Sequence, residues 1–376
     1  MQTLRHFRSF LMAGFECSTH RRPDGLRLDL VRSTGHASLA LADYRACAAL
    51  GLRSARDGLR WHLIETVPGQ YDWSTWLPML EAAAEAGVEV IWDLFHYGSP
   101  DHVDQGGRDL IDRLARFAYE AVRMHRQVTG APAMLTPINE ISFFTWAVRT
   151  GYFPSAGPEQ PGWFKRHLVS AAIAAVKAAR AADPECRFFW AEPLIHISAP
   201  PQAPELAEGA EEARLGQFEA YDMLLGRIAP ELGGSADFAD ALGLNFYPDN
   251  QWYLGGSTLP LGHHEYRPLA DMLVEVFERY RKPIFLSETG AEGSARPAWF
   301  HYICQEVAEA MARGVPVAGV CIYPVTAYPG WDDSRHAQVG LFTTPDSDGS
   351  RRVYQPLADE LARQQQLFAD LAAPQR

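Results

Sequence analysis

Two glutamates stand at equivalent positions in the sequence and could act as a pair. Glu140 and Glu288 each follow directly on an apolar segment, with Asn139 before the first and Ser287 before the second. A single acid in such a position is usually a surface loop residue, but two matched ones favour a shared role. Paired carboxyl groups, one protonated and one ionised, can cleave a glycosidic bond. The protonated group supplies a proton to the leaving oxygen, and the ionised group attacks the anomeric carbon.

Other polar and aromatic side chains also follow apolar segments, where they could bind a substrate. The candidates are Asn139, His96, Tyr247, Arg56, Trp331, Tyr323, Glu192 and Asn245. A sugar needs both kinds of group, because its hydroxyls form hydrogen bonds and its apolar C–H faces pack on aromatic rings. For any one of these residues, the alternative is a purely structural role in the core or in a solvated loop. For His96, substrate binding and a structural role are evenly balanced.

Short apolar segments alternate along the chain with helical patterns. The predicted strands are Phe10–Cys17, Ser54–Trp61, Val88–His96, Ala133–Asn139, Arg187–Glu192, Ala239–Tyr247, Pro283–Glu288 and Val317–Tyr323. The predicted helices are Ser38–Leu50, Ser74–Ala86, Gly107–Gln127, Pro161–Ala182, Gly209–Ile228, Leu269–Arg281, Pro297–Arg313 and Gln355–Leu371. The strands are continuous apolar runs, which is typical of parallel strands buried on both faces.

Eight such alternations predict an α/β fold, a single (β/α)8 or TIM barrel that spans residues 1–376. A doubly wound sheet is the structural alternative, but it usually has a glycine-rich first turn, and this sequence has none. Barrel active sites lie at the carboxyl ends of the strands, where strands four and seven face each other across the mouth. Glu140 and Glu288 are therefore expected to converge on one pocket, although mostly short strand-to-helix loops leave its depth open.

The composition restricts the class of protein. The chain has 376 residues and is 47% hydrophobic and 21% charged, as is usual for a globular protein. Its net charge of −12 disfavours partners such as nucleic acid or an anionic membrane. No apolar stretch approaches the roughly 18 residues of a membrane span. The five cysteines have no disulfide or zinc-site spacing, so we expect a cytoplasmic protein without metal or cofactor. The oligomeric state stays open.

The motifs resemble those of the retaining glycosidases of clan A, and most closely glycoside hydrolase family 1, the β-glucosidase and β-galactosidase family. The segment that ends at Glu140 resembles the strand-four signature with the acid/base, and the one that ends at Glu288 resembles the strand-seven signature with the nucleophile. The resemblance implies that Arg56 and Tyr247 hold the nucleophile and that His96 contacts a sugar hydroxyl. It implies a retaining β-glycoside hydrolase that acts on a small carbohydrate by double displacement.

Three departures from the family pattern leave the sugar unidentified. The family has a sugar-binding Gln after strand one, whereas this chain has Glu16 and His20 in that segment, either of which could replace the contact. Tyr323 stands in place of a tryptophan, and Trp331 represents a later segment only loosely. Asn139 would donate to the sugar 2-hydroxyl. The alternatives are an endo-acting clan A glycanase, a catalytically silent sugar-binding barrel and, less in keeping with the scattered histidines, a metal-dependent hydrolase.

Overall fold

The computed structural model describes residues 6–154, 156, 160, 162–333 and 335–372. Eight parallel strands form a closed barrel, with neighbours in chain order and the last strand paired with the first. The barrel strands are β1 (Leu11–Gly14), β2 (Ser54–Gly58), β3 (Glu89–Asp93), β4 (Met134–Thr136), β5 (Arg187–Pro193), β6 (Ala241–Asn245), β7 (Ile284–Thr289) and β8 (Val317–Ile322). The predicted (β/α)8 fold is therefore confirmed.

Apolar side chains fill the inside of the barrel. Met12, Ile91, Phe189 and Phe285 pack together there, and Phe7 packs against Phe189 and Phe285. The outward faces of the strands belong to the larger core beneath the helices. Burial on both faces explains why the strand sequences are continuous apolar runs instead of alternating ones. The filled interior leaves the carboxyl ends of the strands as the place for polar chemistry.

The barrel helices surround the strands in chain order. They are α1 (His36–Ala49), α2 (Leu77–Ala86), α3 (Arg108–Thr129), α4 (Trp163–Ala182), α5 (Glu219–Leu224), α6 (Leu269–Tyr280), α7 (Arg296–Ala312) and α8 (Gln355–Ala372). Further helices of four to nine residues lie in the connections, at Leu30–Ser33, Trp61–Ile64, Ile141–Arg149 and Ala207–Leu215. Two small sheets pair His196–Ser198 with Gln251–Tyr253 and Tyr328–Pro329 with His336–Ala337. No described helix is both long enough and apolar enough to cross a membrane.

The structure differs from the sequence predictions in the details of the connections. The predicted helix over Gly209–Ile228 is wrong as one helix, because Gly216 begins a 3-10 turn that separates two shorter helices. The predicted helix over Pro161–Ala182 begins at Trp163, and Pro161 lies outside the described residues. The expectation of mostly short strand-to-helix loops is wrong. The connection from β7 to α7 is short, but the other connections are long, and the one after β8 reaches Gln355.

Candidate active site

Glu140 lies between β4 and the helix Ile141–Arg149, in an unusual backbone conformation. Its φ of 43° is in the left-handed region, which costs a non-glycine residue about 1–3 kcal/mol and is enriched at functional sites. The carboxylate of Glu192 at the end of β5 accepts a hydrogen bond of 3.0 Å from the backbone N–H of Ser142. Glu192 thereby satisfies a free donor in the first turn of the helix that follows Glu140.

Glu288 lies within β7 and is 5% exposed. Arg56 donates from Nη1 to its Oε1 at 2.9 Å, and the Tyr247 hydroxyl donates to its Oε2 at 2.8 Å. Each carboxylate oxygen therefore has its own donor, and both donors stabilise the negative charge. A carboxylate held in this way is fixed in direction, as a group that attacks a single carbon atom must be.

Arg56 is fully buried and joins groups from four strands. Besides Glu288 it donates to the backbone oxygen of Ser287 at 2.9 Å, to Asp93 Oδ2 at 2.7 Å and to Asn139 Oδ1 at 3.0 Å. A guanidinium ion is costly to bury unless its charge is paired and its donors are satisfied. The arrangement therefore requires the carboxyl ends of β2, β3, β4 and β7 to remain in fixed relative positions.

A chain of hydrogen bonds leads from Arg56 to the second glutamate. Asn139 donates from Nδ2 to the Tyr97 hydroxyl at 2.9 Å, and the same nitrogen lies 3.1 Å from His96 Nε2. The Tyr97 hydroxyl in turn donates to Glu140 Oε2 at 2.6 Å. One amide hydrogen of Asn139 is thus donated to Tyr97, and the direction of its contact with His96 depends on the protonation of the His96 ring.

The environment of Glu140 favours its protonated form. Burial, followed by the negative charge of Glu288, raises the pKa of Glu140 to about 8, although the hydrogen bond from Tyr97 and the nearby amide of Asn245 partly oppose the rise. The carboxyl group is therefore protonated at neutral pH, as a general acid must be. Asn245 also accepts a 2.6 Å hydrogen bond from the Ser287 hydroxyl beside Glu288, while its amide nitrogen has no partner among the described residues.

His96 belongs to a compact polar group that the sequence analysis did not foresee. Its Nδ1 lies 2.9 Å from Asp93 Oδ2 and 3.2 Å from the Sγ of Cys17. Burial lowers the pKa of His96, but the bonded Asp93 carboxylate outweighs that effect and raises it. Cysteine, histidine and aspartate together could hold a metal ion. A cation placed here would meet the guanidinium of Arg56, which already binds the same Asp93 oxygen.

The aromatic candidates lie on two sides of this network. Tyr323 is buried below it, with the guanidinium carbon of Arg56 5.5 Å from the centre of its ring. Trp331 is half-buried at the rim, where its ring centre lies 4.6 Å from that of His20 and 5.9 Å from that of Tyr97. Tyr323 therefore packs against the buried guanidinium, whereas Trp331 packs against Tyr97, whose hydroxyl contacts Glu140.

A cavity of about 500 Å³ adjoins the site beyond Tyr97. His20 and Phe153 line it together with Arg21 and Arg27. Both arginines bond to Asp101 at its edge. Neither proposed catalytic glutamate lines this cavity. It borders the residue whose hydroxyl contacts Glu140, so it lies near the acid side of the pair.

Most of the predicted site residues are brought together by the fold. Direct hydrogen bonds or ring contacts link six of them: Glu288, Arg56, Asn139, His96, Tyr247 and Tyr323. Glu140 joins this group through Tyr97. Asn245 joins through Ser287, Trp331 packs against Tyr97, and Glu192 bonds to the first turn of the helix that follows Glu140. The prediction that these residues bind a substrate stays a prediction.

Sequence analysis did not identify Tyr97 as a residue of the site. Tyr97 has a φ of 66°, and this turn directs its hydroxyl to Glu140. The one signal in the sequence is the following residue, Gly98. A Cβ at Gly98 would lie 2.1 Å from the backbone oxygen of Thr19, so only glycine allows the loops after β1 and β3 to pass this closely.

Comparison with known structures supports the fold, whereas two comparisons by sequence find no match. No family model matches the chain, and no curated protein matches it in sequence. Solved structures do match over nearly their whole length. A family 1 β-glucosidase from Thermotoga maritima has a TM-score of 0.76 at 13% identity, with 97% of this chain and 99% of that chain covered.

Two further structures give the same result. The β-glycosidase of Thermosphaera aggregans has a TM-score of 0.67 at 17% identity, covering 88% of this chain and 85% of its own. The virulence factor SghA, in complex with its substrate analogue salicin, has a TM-score of 0.74 at 15% identity, covering 96% and 97%. The chain thus has the (β/α)8 fold of family 1 β-glucosidases, and the resemblance inferred from the motifs is confirmed at the level of the fold.

Proposed function

We propose that this protein is a retaining β-glycosidase in which Glu288 is the nucleophile and Glu140 the acid/base. The observation that carries the proposal is the hydrogen-bonded chain between the two glutamates through Arg56, Asn139 and Tyr97. It joins a carboxylate that is held negative to a carboxyl group that is held protonated. Retaining glycosidases need this division between two acids at the mouth of one site.

In the first step Glu288 attacks the anomeric carbon while Glu140 gives its proton to the leaving oxygen. The bond between carbon and leaving oxygen breaks, and an ester forms between the sugar and Glu288. The negative charge of Glu288 disappears at this point. Because that charge is one cause of the raised pKa of Glu140, its loss lowers that pKa and prepares Glu140 to act as a base.

In the second step Glu140 removes a proton from water, and the water oxygen attacks the anomeric carbon on the face that the leaving group vacated. The ester breaks, Glu288 regains its charge, and Glu140 is protonated again. Two inversions at one carbon retain the β-configuration. Arg56 and Tyr247 donate to the same carboxylate before attack and after release, so neither has to move during the cycle.

The burial of the site favours cleavage at a chain end over cleavage within a polymer. Arg56, Asn139, Asn245 and Glu288 are all buried, which suits an enclosed subsite for one sugar. An endo-acting glycanase binds sugars on both sides of the cut and needs an open cleft. We therefore favour exo-acting hydrolysis of a small β-glycoside. The five cysteines are all buried and free, in keeping with the cytoplasmic location that we propose.

A panel of aryl β-glycosides tests the reaction, with the product followed by NMR before it mutarotates. We expect release of one sugar with retained configuration. Inverted product would remove the nucleophile role from Glu288. Turnover of no glycoside, combined with binding of free sugars, would indicate a silent sugar-binding barrel instead.

Azide rescue separates the roles of the two glutamates. In Glu140→Ala, azide can attack the sugar ester in place of water, and the expected product is the β-glycosyl azide. In Glu288→Ala, azide can occupy the space left by the nucleophile, and the expected product is the α-glycosyl azide. The reverse assignment of products would exchange the two roles.

A further inference from the structure

The hydroxyl of Tyr97 lies where a hydroxyl of the substrate is expected to bind. It accepts a hydrogen bond of 2.9 Å from Asn139 Nδ2 and donates one of 2.6 Å to Glu140 Oε2. Asn139 is only 1% exposed, so its amide group needs partners inside the protein or on a ligand. Tyr97 supplies one of these partners before any substrate arrives.

Arg56 fixes the orientation of the Asn139 amide. A guanidinium can only donate, and it bonds to one end of this amide at 3.0 Å, so that end is the oxygen and the other end is the nitrogen. The nitrogen is therefore the end that faces Tyr97, whose hydroxyl oxygen accepts from it. The one hydrogen of that hydroxyl goes to Glu140.

Asn139 is placed for the sugar carbon next to the reaction centre. On the proposed function the anomeric carbon lies between Glu288 and Glu140. Asn139 is linked to the first acid through Arg56 and to the second through Tyr97. C2 is bonded directly to the anomeric carbon, and hydrogen bonds to its hydroxyl stabilise the transition state of glycosidases. In this protein the hydroxyl of Tyr97 already occupies the donor at that position.

The packing of Tyr97 holds its hydroxyl in this place. The residue is 2% exposed, and its ring centre lies 4.8, 5.4 and 5.3 Å from those of His96, Phe144 and Phe153. Its backbone has a φ of 66°, and the next residue, Gly98, has no room for a side chain. The hydroxyl is therefore a fixed part of the site.

We propose that Tyr97 takes the place of the sugar 2-hydroxyl at Asn139, so that this enzyme accepts 2-deoxy-β-glycosides about as well as their 2-hydroxy parents. The inference rests on the function proposed above. Where a donor is free to bind the 2-hydroxyl, a substrate that lacks this group leaves a buried donor unpaired and reacts far more slowly. Here the donor stays paired with Tyr97 whichever substrate is bound, so a 2-hydroxyl gains nothing from Asn139.

A pair of substrates tests this inference in the wild-type protein. The parent is an aryl β-glucoside or β-galactoside, whichever is turned over faster, and it is compared with its 2-deoxy analogue. We expect the parent to exceed the 2-deoxy analogue in kcat/KM by less than about tenfold, far below the discrimination of a site that binds the missing hydroxyl. The 6-deoxy analogue is the control for the loss of a hydroxyl elsewhere on the sugar.

Tyr97→Phe keeps the ring and removes the hydroxyl, which frees the donor of Asn139. We expect the preference for the parent over the 2-deoxy analogue to rise by about tenfold or more, because the 2-hydroxyl now has a donor to bind. The preference over the 6-deoxy analogue should not change. Rates are compared on the plateau of each pH profile, so that the protonation of Glu140 does not enter. In the control Tyr119→Phe, on the outer helix α3, both preferences should stay as in the wild type.

Three results would overturn the inference while leaving the proposed function intact. A larger preference for the parent in the wild type would mean that the substrate displaces Tyr97, for which the adjoining cavity of about 500 Å³ has room. An unchanged preference in active Tyr97→Phe would mean that Asn139 does not reach C2. A lower preference in that variant would mean that the 2-hydroxyl binds to Tyr97 itself. If Tyr97→Phe does not fold, the wild-type ratio alone decides.

Calorimetry tests the inference separately if no glycoside is turned over, the result by which the proposed function fails. The wild type should then bind a methyl β-glycoside and its 2-deoxy analogue equally, and Tyr97→Phe should bind the 2-hydroxy sugar more tightly. A wild type that binds the 2-hydroxy sugar more tightly, or that binds neither sugar, would contradict the inference.

Discussion

Arg56 and Glu288 form a buried ion pair of 2.9 Å that joins β2 to β7 across the mouth of the barrel. The same guanidinium holds Asp93 at 2.7 Å and Asn139 at 3.0 Å. The carboxylate that is to attack the sugar is therefore positioned by a network that also supports the fold. Catalysis and stability should depend together on this one side chain.

Arg56→Lys should lower both properties, because a lysine cannot reach several acceptors with one planar group. We expect kcat/KM to fall by about 100-fold or more and the free energy of unfolding to fall by about 3 kcal/mol, as when a buried ion pair is broken. Enzyme assays and urea unfolding measure the two effects. Arg335→Lys is the control, since Arg335 and its partner Glu292 are exposed and should contribute little. A variant as active and stable as the wild type would refute this role of Arg56.

Tyr97→Phe should shift the alkaline limb of the pH profile of kcat/KM to higher pH. Glu140 must be protonated to act, and the hydrogen bond from Tyr97 lowers its pKa from what burial and Glu288 would otherwise impose. Removal of the hydroxyl therefore raises that pKa, and the protonated form persists to higher pH. Tyr247→Phe, which removes the donor to Glu288, should lower the rate without moving this limb. A limb that stays in place or moves down in Tyr97→Phe would contradict the assignment.

Glu288→Gln should lower the pKa of Glu140. Burial is the larger cause of the raised value and persists in the variant, whereas the charge of Glu288 is lost. The titration of the carboxyl band can be followed by difference infrared spectroscopy, with Glu288→Gln/Glu140→Gln as the reference that assigns the band. An unchanged titration would mean that the two glutamates do not interact electrostatically.

His36 should make stability depend on pH in the alkaline range. Burial lowers its pKa, but the carboxylates of Asp57 and Asp43, each 2.8 Å from one ring nitrogen, raise it to about 9. The folded value lies above the unfolded one, so the stabilisation is fully present below about pH 6.5 and is lost as the pH rises through 9. The shift corresponds to roughly 3 kcal/mol. The free energy of unfolding of the wild type and of His36→Asn can be measured by urea unfolding between pH 6 and 10. The difference between the two should shrink as the pH rises, and a constant difference would contradict the prediction.

The sequence predicted the barrel and its two glutamates because both depend on local patterns. An apolar run followed by a polar side chain marks the end of a buried strand, and eight such runs set the order around the barrel. The predicted strands extend too far at their carboxyl ends, because Asn139 and Tyr247 follow apolar residues and were included. In the structure β4 ends at Thr136 and β6 at Asn245.

The features that sequence could not predict depend on backbone turns or on distant residues. The positive φ angles of Tyr97 and Glu140 follow from how the loops pack and leave no signature in residue type. The contact of Cys17 with His96 joins residues 79 positions apart. Arg351 bonds to Asp43 across 308 positions, and no local pattern relates them.

The most direct test of the central claim is to identify the residue that carries the sugar during turnover. Glu140→Gln should still react with a dinitrophenyl β-glycoside, because that leaving group needs no proton, but it should release the sugar slowly for lack of a base. The glycosyl-enzyme should then accumulate and be located by peptide mass spectrometry. We predict one sugar in ester linkage to Glu288; a sugar on any other residue, or rapid turnover with inverted product, would contradict the account.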